Sequence, residues 1–206
     1  MNITTIPLGP LQTNCYILAN GKEALVVDPG GDPAPVLEYL ENEGLTLTVI
    51  LNTHLHFDHT AGNKALSDAT GAPIMANDAD GYLMDTWLGK GGDMGLPPIA
   101  PYKWQNLEQG ETAFAGAACR VLHTPGHSPG SLTFHFPDAG TAFVGDLIFY
   151  RSIGRTDFPG GDIEALKRSV NEHIFTMPPE TRLLSGHGPE TSVGDERNHN
   201  PFFGGF

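Results

Sequence analysis

Residues 53–62, with the sequence THLHFDHTAG, decide how the rest of this 206-residue chain is interpreted. They place four side chains that commonly bind metals within six positions: His54, His56, Asp58 and His59. The apolar, β-branched run at residues 47–51 is typical of a short buried strand, and the residues from Thr60 onward indicate the start of a helix. The four polar side chains are therefore predicted on a strand-to-helix turn, where α/β sheets commonly bind their ligands.

Imidazole and carboxylate groups suit zinc, iron or manganese. His54 and His56 can face one ion, while Asp58 and His59 can face a second. The alternative is that these are ordinary surface or hydrogen-bonded core residues, which is the usual situation of an isolated histidine. Because each unsatisfied buried polar group costs about 1–3 kcal/mol, four such groups directly after an apolar strand favour a metal site.

Composition and charge narrow the possible functions. The chain is 39% hydrophobic and 17% charged, with a net charge of −13 when histidines are neutral. Its length fits one domain spanning residues 1–206. The acidic balance argues against nucleic acid, which requires a basic surface, and against anionic membranes. The partner that we expect is a small-molecule substrate. The sequence leaves the oligomeric state open.

The two cysteines, Cys15 and Cys119, lie far apart in apolar, strand-like runs, which predicts two reduced buried thiols rather than a disulfide. We find neither an N-terminal signal pattern nor an apolar run of the ~18–20 residues that a membrane span needs. A cytoplasmic protein is the resulting expectation.

Hydrophobic periodicity predicts the order of elements. Strands are expected at residues 2–8, 14–18, 24–27, 47–51, 73–76, 117–122, 131–136, 141–144 and 182–184. Helices are expected from Asp32, as N-cap, to Gly44, from Thr60 to Gly71, and over residues 162–175. Residues 77–109 have a weak pattern and are interpreted as a connector or as a flap over the site. This order predicts an α+β fold of αββα layering, with two mixed sheets packed face to face and helices outside.

Three further turns each follow a predicted strand and contain one ligand-type residue directly after a glycine: His127, Asp146 and His187. Glycine permits the sharp turn that brings such a side chain close to an ion. With the first turn, these residues supply seven potential ligands from four strand ends. Asp28, after the third strand, is either a plain turn residue or a group that orients a metal-bound histidine.

In these seven residues and their order, the chain resembles the metallo-β-lactamase fold superfamily, specifically the glyoxalase II (hydroxyacylglutathione hydrolase) branch in its short bacterial type. The resemblance implies that His54, His56 and His127 bind a first metal and that Asp58, His59 and His187 bind a second. It implies that Asp146 bridges both ions.

The resemblance also implies that Arg155, shortly after the bridging residue, contacts the glutathione part of the substrate, because guanidinium groups pair well with carboxylates. The alternative is a structural salt bridge with Asp157 or Asp162. Longer family members have a tyrosine in this segment, which residues 156–158 of this chain lack. They also have a C-terminal helical domain that binds glutathione, which we do not expect here. These departures concern the substrate-binding residues and leave the seven potential metal ligands unaffected.

The predicted function is therefore hydrolysis of S-lactoylglutathione-type thioesters by a metal-bound hydroxide, with Asp58 orienting the hydroxide as well as binding metal. Two divalent ions per chain are expected, with zinc favoured and iron or manganese possible. The alternatives are a persulfide dioxygenase with a single iron, another hydrolase of the same fold acting on a lactone or ester, and a non-catalytic metal-binding module. β-Lactamase activity is less favoured, since many zinc β-lactamases place a cysteine in the second site.

Overall fold

The computed structural model describes residues 1–93 and 95–204. Its first half contains the strands β1 (Asn2–Leu8), β2 (Thr13–Asn20), β3 (Glu23–Val27), β4 (Thr46–Leu51), β5 (Ile74–Ala76) and β6 (Gln105–Asn106). The same half contains the helices α1 (Ala34–Glu43), α2 (Phe57–Thr60), α3 (Asn63–Thr70) and α4 (Trp87–Lys90), with a 3₁₀ helix at Asp78–Asp85.

The second half repeats the strand-rich pattern. Its strands are β7 (Gly110–Phe114), β8 (Ala117–His123), β9 (Leu132–Phe136), β10 (Thr141–Gly145), β11 (Ile148–Phe149), β12 (Ser152–Ile153), β13 (Arg182–Ser185) and β14 (Thr191–Ser192). Its helices are α5 (Ile163–Ser169) and α6 (Val193–His199), and a π-helical turn at Val170–Ile174 continues α5.

Within the described residues, the strands form two large sheets and a small hairpin of β11 and β12. The first sheet has the order β1-β2-β3-β4-β5-β6, antiparallel from β1 to β3 and parallel from β3 to β6. The second has the order β14-β13-β10-β9-β8-β7, in which only the β10–β13 pairing is parallel among the described strands. Both sheets are therefore mixed, as predicted.

Side-chain alternation along β2 shows how the sheets are layered. Tyr16 and Leu18 belong to the main core, together with Phe134 and Phe143 of the second sheet. Cys15 and Ile17 face the opposite way and pack in the cluster that includes α1 and α3. Because neighbouring residues of a strand point to opposite faces, one strand serves both layers.

The outer face of the second sheet is covered in the same manner. Leu166 of α5, Val170 of the π-helical turn and Val193 of α6 pack against Ala142 and Leu183. The chain thus has helices outside two facing sheets, and the predicted αββα sandwich is confirmed.

The helix ends follow local signals with small differences from the sequence prediction. The N-cap of α1 is Pro33 instead of Asp32, although Asp32 Oδ1 still accepts a hydrogen bond from the Ala34 amide at 3.0 Å. Gly44 ends this helix in the left-handed region, as predicted. Asp162 caps α5 by accepting from the amides of Glu164 and Ala165, and the helix predicted over residues 162–175 divides at Ser169 into α-helix and π-helical turn.

Cys15 and Cys119 are buried and free, which confirms the prediction of two thiols. In the part of the chain that the structure describes, we find no helix long and apolar enough to cross a membrane.

Candidate metal centre

The four turns singled out in the sequence converge at one edge of the sandwich. His54 and His56 follow β4, and His56 is the N-cap of α2, which contains Asp58 and His59. The other three residues follow strands of the second sheet or lie between them: His127 between β8 and β9, Asp146 after β10 and His187 after β13. Neither sheet supplies the whole cluster.

The seven side chains form three overlapping groups whose potential ligand atoms lie within 4.8 Å of one another. These groups are His54 with His56 and His127, Asp58 with His59 and His187, and His54 with His59 and Asp146. The first two coincide with the ligand sets that the resemblance implies, and the third places Asp146 between them. Their role as ligands remains a prediction, but all seven are brought together.

Individual distances confirm how tight the cluster is. His127 Nε2 lies 2.9 Å from His56 Nδ1, and His187 Nε2 lies 3.2 Å from Asp58 Oδ2. Asp146 reaches both sides, with Oδ2 3.7 Å from His127 Nε2 and from His187 Nε2.

Three buried atoms in this cluster lack a hydrogen-bond partner: His54 Nε2, His59 Nε2 and Asp146 Oδ1. A buried polar atom without a partner is costly unless another group satisfies it. The three atoms belong to one candidate metal group, so a divalent cation is the group that fits them. The donor set of imidazoles and carboxylates suits zinc, iron or manganese equally.

The electrostatics of the cluster favour cations. Burial lowers the pKa of His54 and brings that of His56 to about 3, so both rings are neutral and able to coordinate. Burial opposes protonation of His59, but the carboxylates of Asp146, Asp58 and Asp28 outweigh it and raise the pKa of His59 well above its usual value. The pKa values of the two acids of the cluster shift in the opposite direction. Burial alone would raise the pKa of Asp58 and Asp146, but His59 and the other histidines lower both.

Glycines allow the close approach that the cluster needs. A Cβ on Gly186 would lie 2.3 Å from Asp146 Oδ1 and 2.5 Å from His59 Cε1. Gly145 has a positive φ of 51° and packs against Thr53, where a Cβ would meet Oγ1 at 2.4 Å. The predicted reason for glycine before these residues is therefore confirmed at both positions.

Asp28 proves to be more than a turn residue. It has a positive φ of 52°, and its carboxylate accepts hydrogen bonds from Thr53 N at 2.8 Å and Thr53 Oγ1 at 2.6 Å. The same carboxylate lies 2.9 Å from His59 Nδ1, which leaves Nε2 of that ring facing the cluster. Of the two interpretations that the sequence allowed, the structure supports the one in which Asp28 orients a histidine.

Asp80 is a buried residue beside the cluster that sequence reasoning missed. It is fully buried in the 3₁₀ helix and accepts hydrogen bonds from Leu55 N at 3.2 Å, Ser128 Oγ at 2.7 Å and Gly130 N at 2.6 Å. Leu55 lies between His54 and His56, and the other two partners follow His127. One carboxylate therefore connects the two loops of the predicted first metal site. No local motif marks Asp80, since its partners are distant in sequence.

A cavity of about 650 Å³ opens over the cluster, within the size range of small-molecule sites. Arg155 lines it, but its guanidinium donates to both carboxylate oxygens of Asp157 at 2.7 Å and stacks on Phe158, with Cζ 3.6 Å from the ring centroid. The structural salt bridge considered for Arg155 is thus present, with Asp157 as the partner. Its role in substrate binding remains a prediction.

The other histidines of the chain lie outside the cluster. In the described part of the chain, His123, His135, His173 and His199 belong to none of the candidate metal groups. His123 Nε2 lies 2.8 Å from the Pro129 carbonyl oxygen, which satisfies the ring locally.

Comparison with known proteins identifies the superfamily to which the chain belongs. The family model described as the Metallo-beta-lactamase superfamily matches residues 8–187, and the chain belongs to that superfamily. Membership indicates a metal-dependent hydrolase, in agreement with the cluster.

Individual relatives cover nearly the whole chain. A hydroxyacylglutathione hydrolase of Haemophilus influenzae, GloC, is 35% identical over 207 residues, which is 98% of this chain and 98% of that protein. The crystal structure of the BLEG-1 B3 metallo-beta-lactamase matches with a TM-score of 0.91 and 39% identity, over 99% of this chain and 100% of that one. The crystal structure of TTHA1623 in a di-iron-bound form matches with a TM-score of 0.85 and 38% identity, over 97% and 99%.

Proposed function

We propose that this protein is a metal-dependent thioester hydrolase of the hydroxyacylglutathione hydrolase type, with two divalent ions per chain. The observation on which the proposal rests is the pair of adjacent three-residue groups with Asp146 between them. The similarity to GloC, at 35% identity, supports the choice of substrate class. The similarity to a protein crystallised in a di-iron-bound form supports a two-metal site.

In this proposal, His54, His56 and His127 hold one ion, and Asp58, His59 and His187 hold the other, with Asp146 shared. Divalent ions bound there would lower the pKa of bound water to roughly 7 and polarise the substrate carbonyl. A thioester suits such a site because its thiolate leaves readily without a strong general acid.

The chain's own residues position the reactants. Asp58 lines the cavity, and its Oδ2 is within hydrogen-bond reach of Thr13 Oγ1 at 3.2 Å, which fixes the carboxylate that would orient the attacking water. Asp28 contacts His59 Nδ1 and orients its ring, and Asp80 accepts hydrogen bonds from both loops of the first site. In this proposal, Arg155, which lines the cavity, receives a carboxylate of the substrate when its pairing with Asp157 opens.

The test is a thioesterase assay with S-lactoylglutathione on protein loaded with zinc, iron or manganese, together with a metal count per chain. We expect metal-dependent release of glutathione and two ions per chain. Full metal loading without thiol release would contradict the proposal. A single bound iron with oxygen uptake on glutathione persulfide would support the dioxygenase alternative.

A second candidate, hydrolysis of a β-lactam, is favoured by the 39% identity and TM-score of 0.91 to the BLEG-1 B3 metallo-beta-lactamase. The same metal-loaded protein can be assayed with nitrocefin. A kcat/KM for nitrocefin above that for S-lactoylglutathione would replace the thioester proposal by this one.

A further inference from the structure

The wall of the cavity above the cluster is apolar. We define the apolar wall as Trp87, Leu88 and Phe158, which belong to one hydrophobic cluster and line the cavity. Phe158 connects this wall to the candidate metal residues. Its ring centroid lies 6.0 Å from that of His56 and 5.7 Å from that of Trp87, edge to face in both cases. The wall therefore begins beside a predicted metal ligand.

Local structure holds the wall in place. Thr86 caps α4 by accepting from the Leu88 amide at 3.2 Å, and its own hydroxyl donates to the Leu83 carbonyl at 2.9 Å. Leu88 is buried, and α4 packs directly against α2. At Gly89 a Cβ would lie 2.5 Å from the Leu83 carbonyl oxygen, so α4 lies close against the 3₁₀ helix. Trp87 therefore lies on a short helix, α4, that is packed against α2 and the 3₁₀ helix.

Charge is nearly absent from the lining outside the cluster itself. Apart from the predicted metal ligands, the polar side chains among the described lining residues are Ser152 and Arg155. Arg155 is already paired with Asp157 through two hydrogen bonds and lies over the Phe158 ring. A substrate group that contacts this wall gains by being apolar, since burial of apolar surface is favourable and the wall itself contains no charged side chain.

We infer that the apolar wall binds the acyl side chain of the substrate and that this site selects bulky, apolar or aromatic 2-hydroxyacyl groups over the lactoyl group. The inference rests on the proposed thioester hydrolysis and specifies its substrate. In a glutathione thioester the thiol side is fixed and polar. The acyl side chain, which is attached to the carbon next to the carbonyl, is therefore the group that varies and can reach a wall beside His56.

The test compares S-lactoylglutathione with S-mandeloylglutathione of the same configuration, which differ only by phenyl in place of methyl. We expect kcat/KM to be at least about 10-fold higher for the mandeloyl substrate, from burial of the ring. Trp87→Ala and Phe158→Ala should each bring this ratio towards 1. Phe202→Ala, which removes an exposed aromatic ring that does not line the cavity, should leave it unchanged. Far-UV circular dichroism verifies folding of each variant, and Trp87→Leu offers a milder truncation.

A binding measurement separates this inference from the proposed function. Calorimetric titration of the metal-loaded protein with mandelate and lactate measures the contribution of the apolar wall to binding, without a catalytic step. Hydrolysis of both thioesters at equal kcat/KM would overturn the inference and leave the function standing. Suppose instead that mandelate binds more tightly than lactate, that this preference depends on Trp87, and that neither thioester is hydrolysed. This result would support the acyl-binding role of the wall and contradict the proposed thioester hydrolysis. Equal binding of the two acids, or a preference for mandelate that survives both wall variants, would overturn the inference.

Discussion

The carboxylate of Asp28 lies 2.9 Å from Nδ1 of His59, and both groups are buried. The same carboxylate accepts two hydrogen bonds from Thr53, the residue directly before the first cluster histidine. A single acid thereby fixes the ring orientation of one predicted ligand and the start of the loop that presents two others.

Replacing Asp28 by asparagine should weaken metal binding by about 10–100-fold, the usual effect of removing a partner that orients a metal-bound histidine. The amide can still accept from Thr53, but its nitrogen cannot accept from His59 Nδ1–H, so the ring loses its fixed tautomer. Competition with a chromophoric chelator measures the affinity. Asp138→Asn, which removes an exposed carboxylate far along the chain, is the matched control. Unchanged affinity in Asp28→Asn would show that the contact has no influence on the site.

Loss of Asp80 should disturb the first metal group more than the second. Alanine at this position leaves Leu55 N and Gly130 N without their acceptor, at a cost of about 3 kcal/mol or more for buried, charge-assisted hydrogen bonds. We expect the melting temperature to fall by roughly 6–12 °C. One of the two metal ions that we propose should also be lost at lower chelator concentration. Ser128→Ala removes one of the three partners and should show a smaller change in both measurements. An Asp80→Ala variant that keeps both metals as tightly as the parent protein would contradict this role.

Release of Arg155 from Asp157 should improve the binding of anionic substrates. Its guanidinium lowers the pKa of Asp157 to about 2 through direct hydrogen bonds, so the pair stays charged over the range in which assays are run. In Asp157→Asn the guanidinium loses its counter-charge. KM for S-lactoylglutathione should then fall about 3-fold at low salt with little change in kcat, and the effect should fade at high ionic strength. Asp138→Asn again controls for the change in net charge. A KM that rises, or that does not depend on salt, would exclude Arg155 as the group that receives the carboxylate.

Removal of metal should destabilise the fold without unfolding it. Ions that bind only the folded state at about 1,000 times their dissociation constant contribute about 4 kcal/mol, which corresponds to a melting temperature lowered by roughly 10 °C after chelation. Differential scanning calorimetry of loaded and stripped protein provides the measurement. Equal melting temperatures would mean that the cluster binds no ion under those conditions.

The thiols offer a pH-dependent check on the core. Burial raises the pKa of Cys119 from 9.0 to about 12. The folded state therefore keeps its proton between these two values while the unfolded chain loses it, so the contribution of Cys119 to stability is full below about pH 9 and is lost as pH rises towards 12. At pH 8 we expect no reaction of Cys15 or Cys119 with a thiol reagent until denaturant is added. Rapid labelling of the native protein would contradict this packing.

The sequence predicts those parts of the molecule whose structure depends on contacts between residues close together in the chain. The seven cluster residues are recognisable because each follows a strand within a few positions and, in three cases, a glycine that the turn requires. Asp80 and Trp87 are not recognisable in this way. Both lie in the irregular segment 77–109, whose 3₁₀ helix and short α4 have no hydrophobic period. Their roles arise from partners such as Gly130 and Phe158, which only the folded chain brings near.

The division of the seven residues between two sheets also bears on how the protein is made. The first sheet alone brings together only the side chains from positions 54 to 59, and those at 127, 146 and 187 arrive with the second. A nascent chain whose later strands are still in the ribosome can therefore offer no complete pocket for an ion. We expect any ion to bind only after the two halves have docked, so that it stabilises a fold that has already formed.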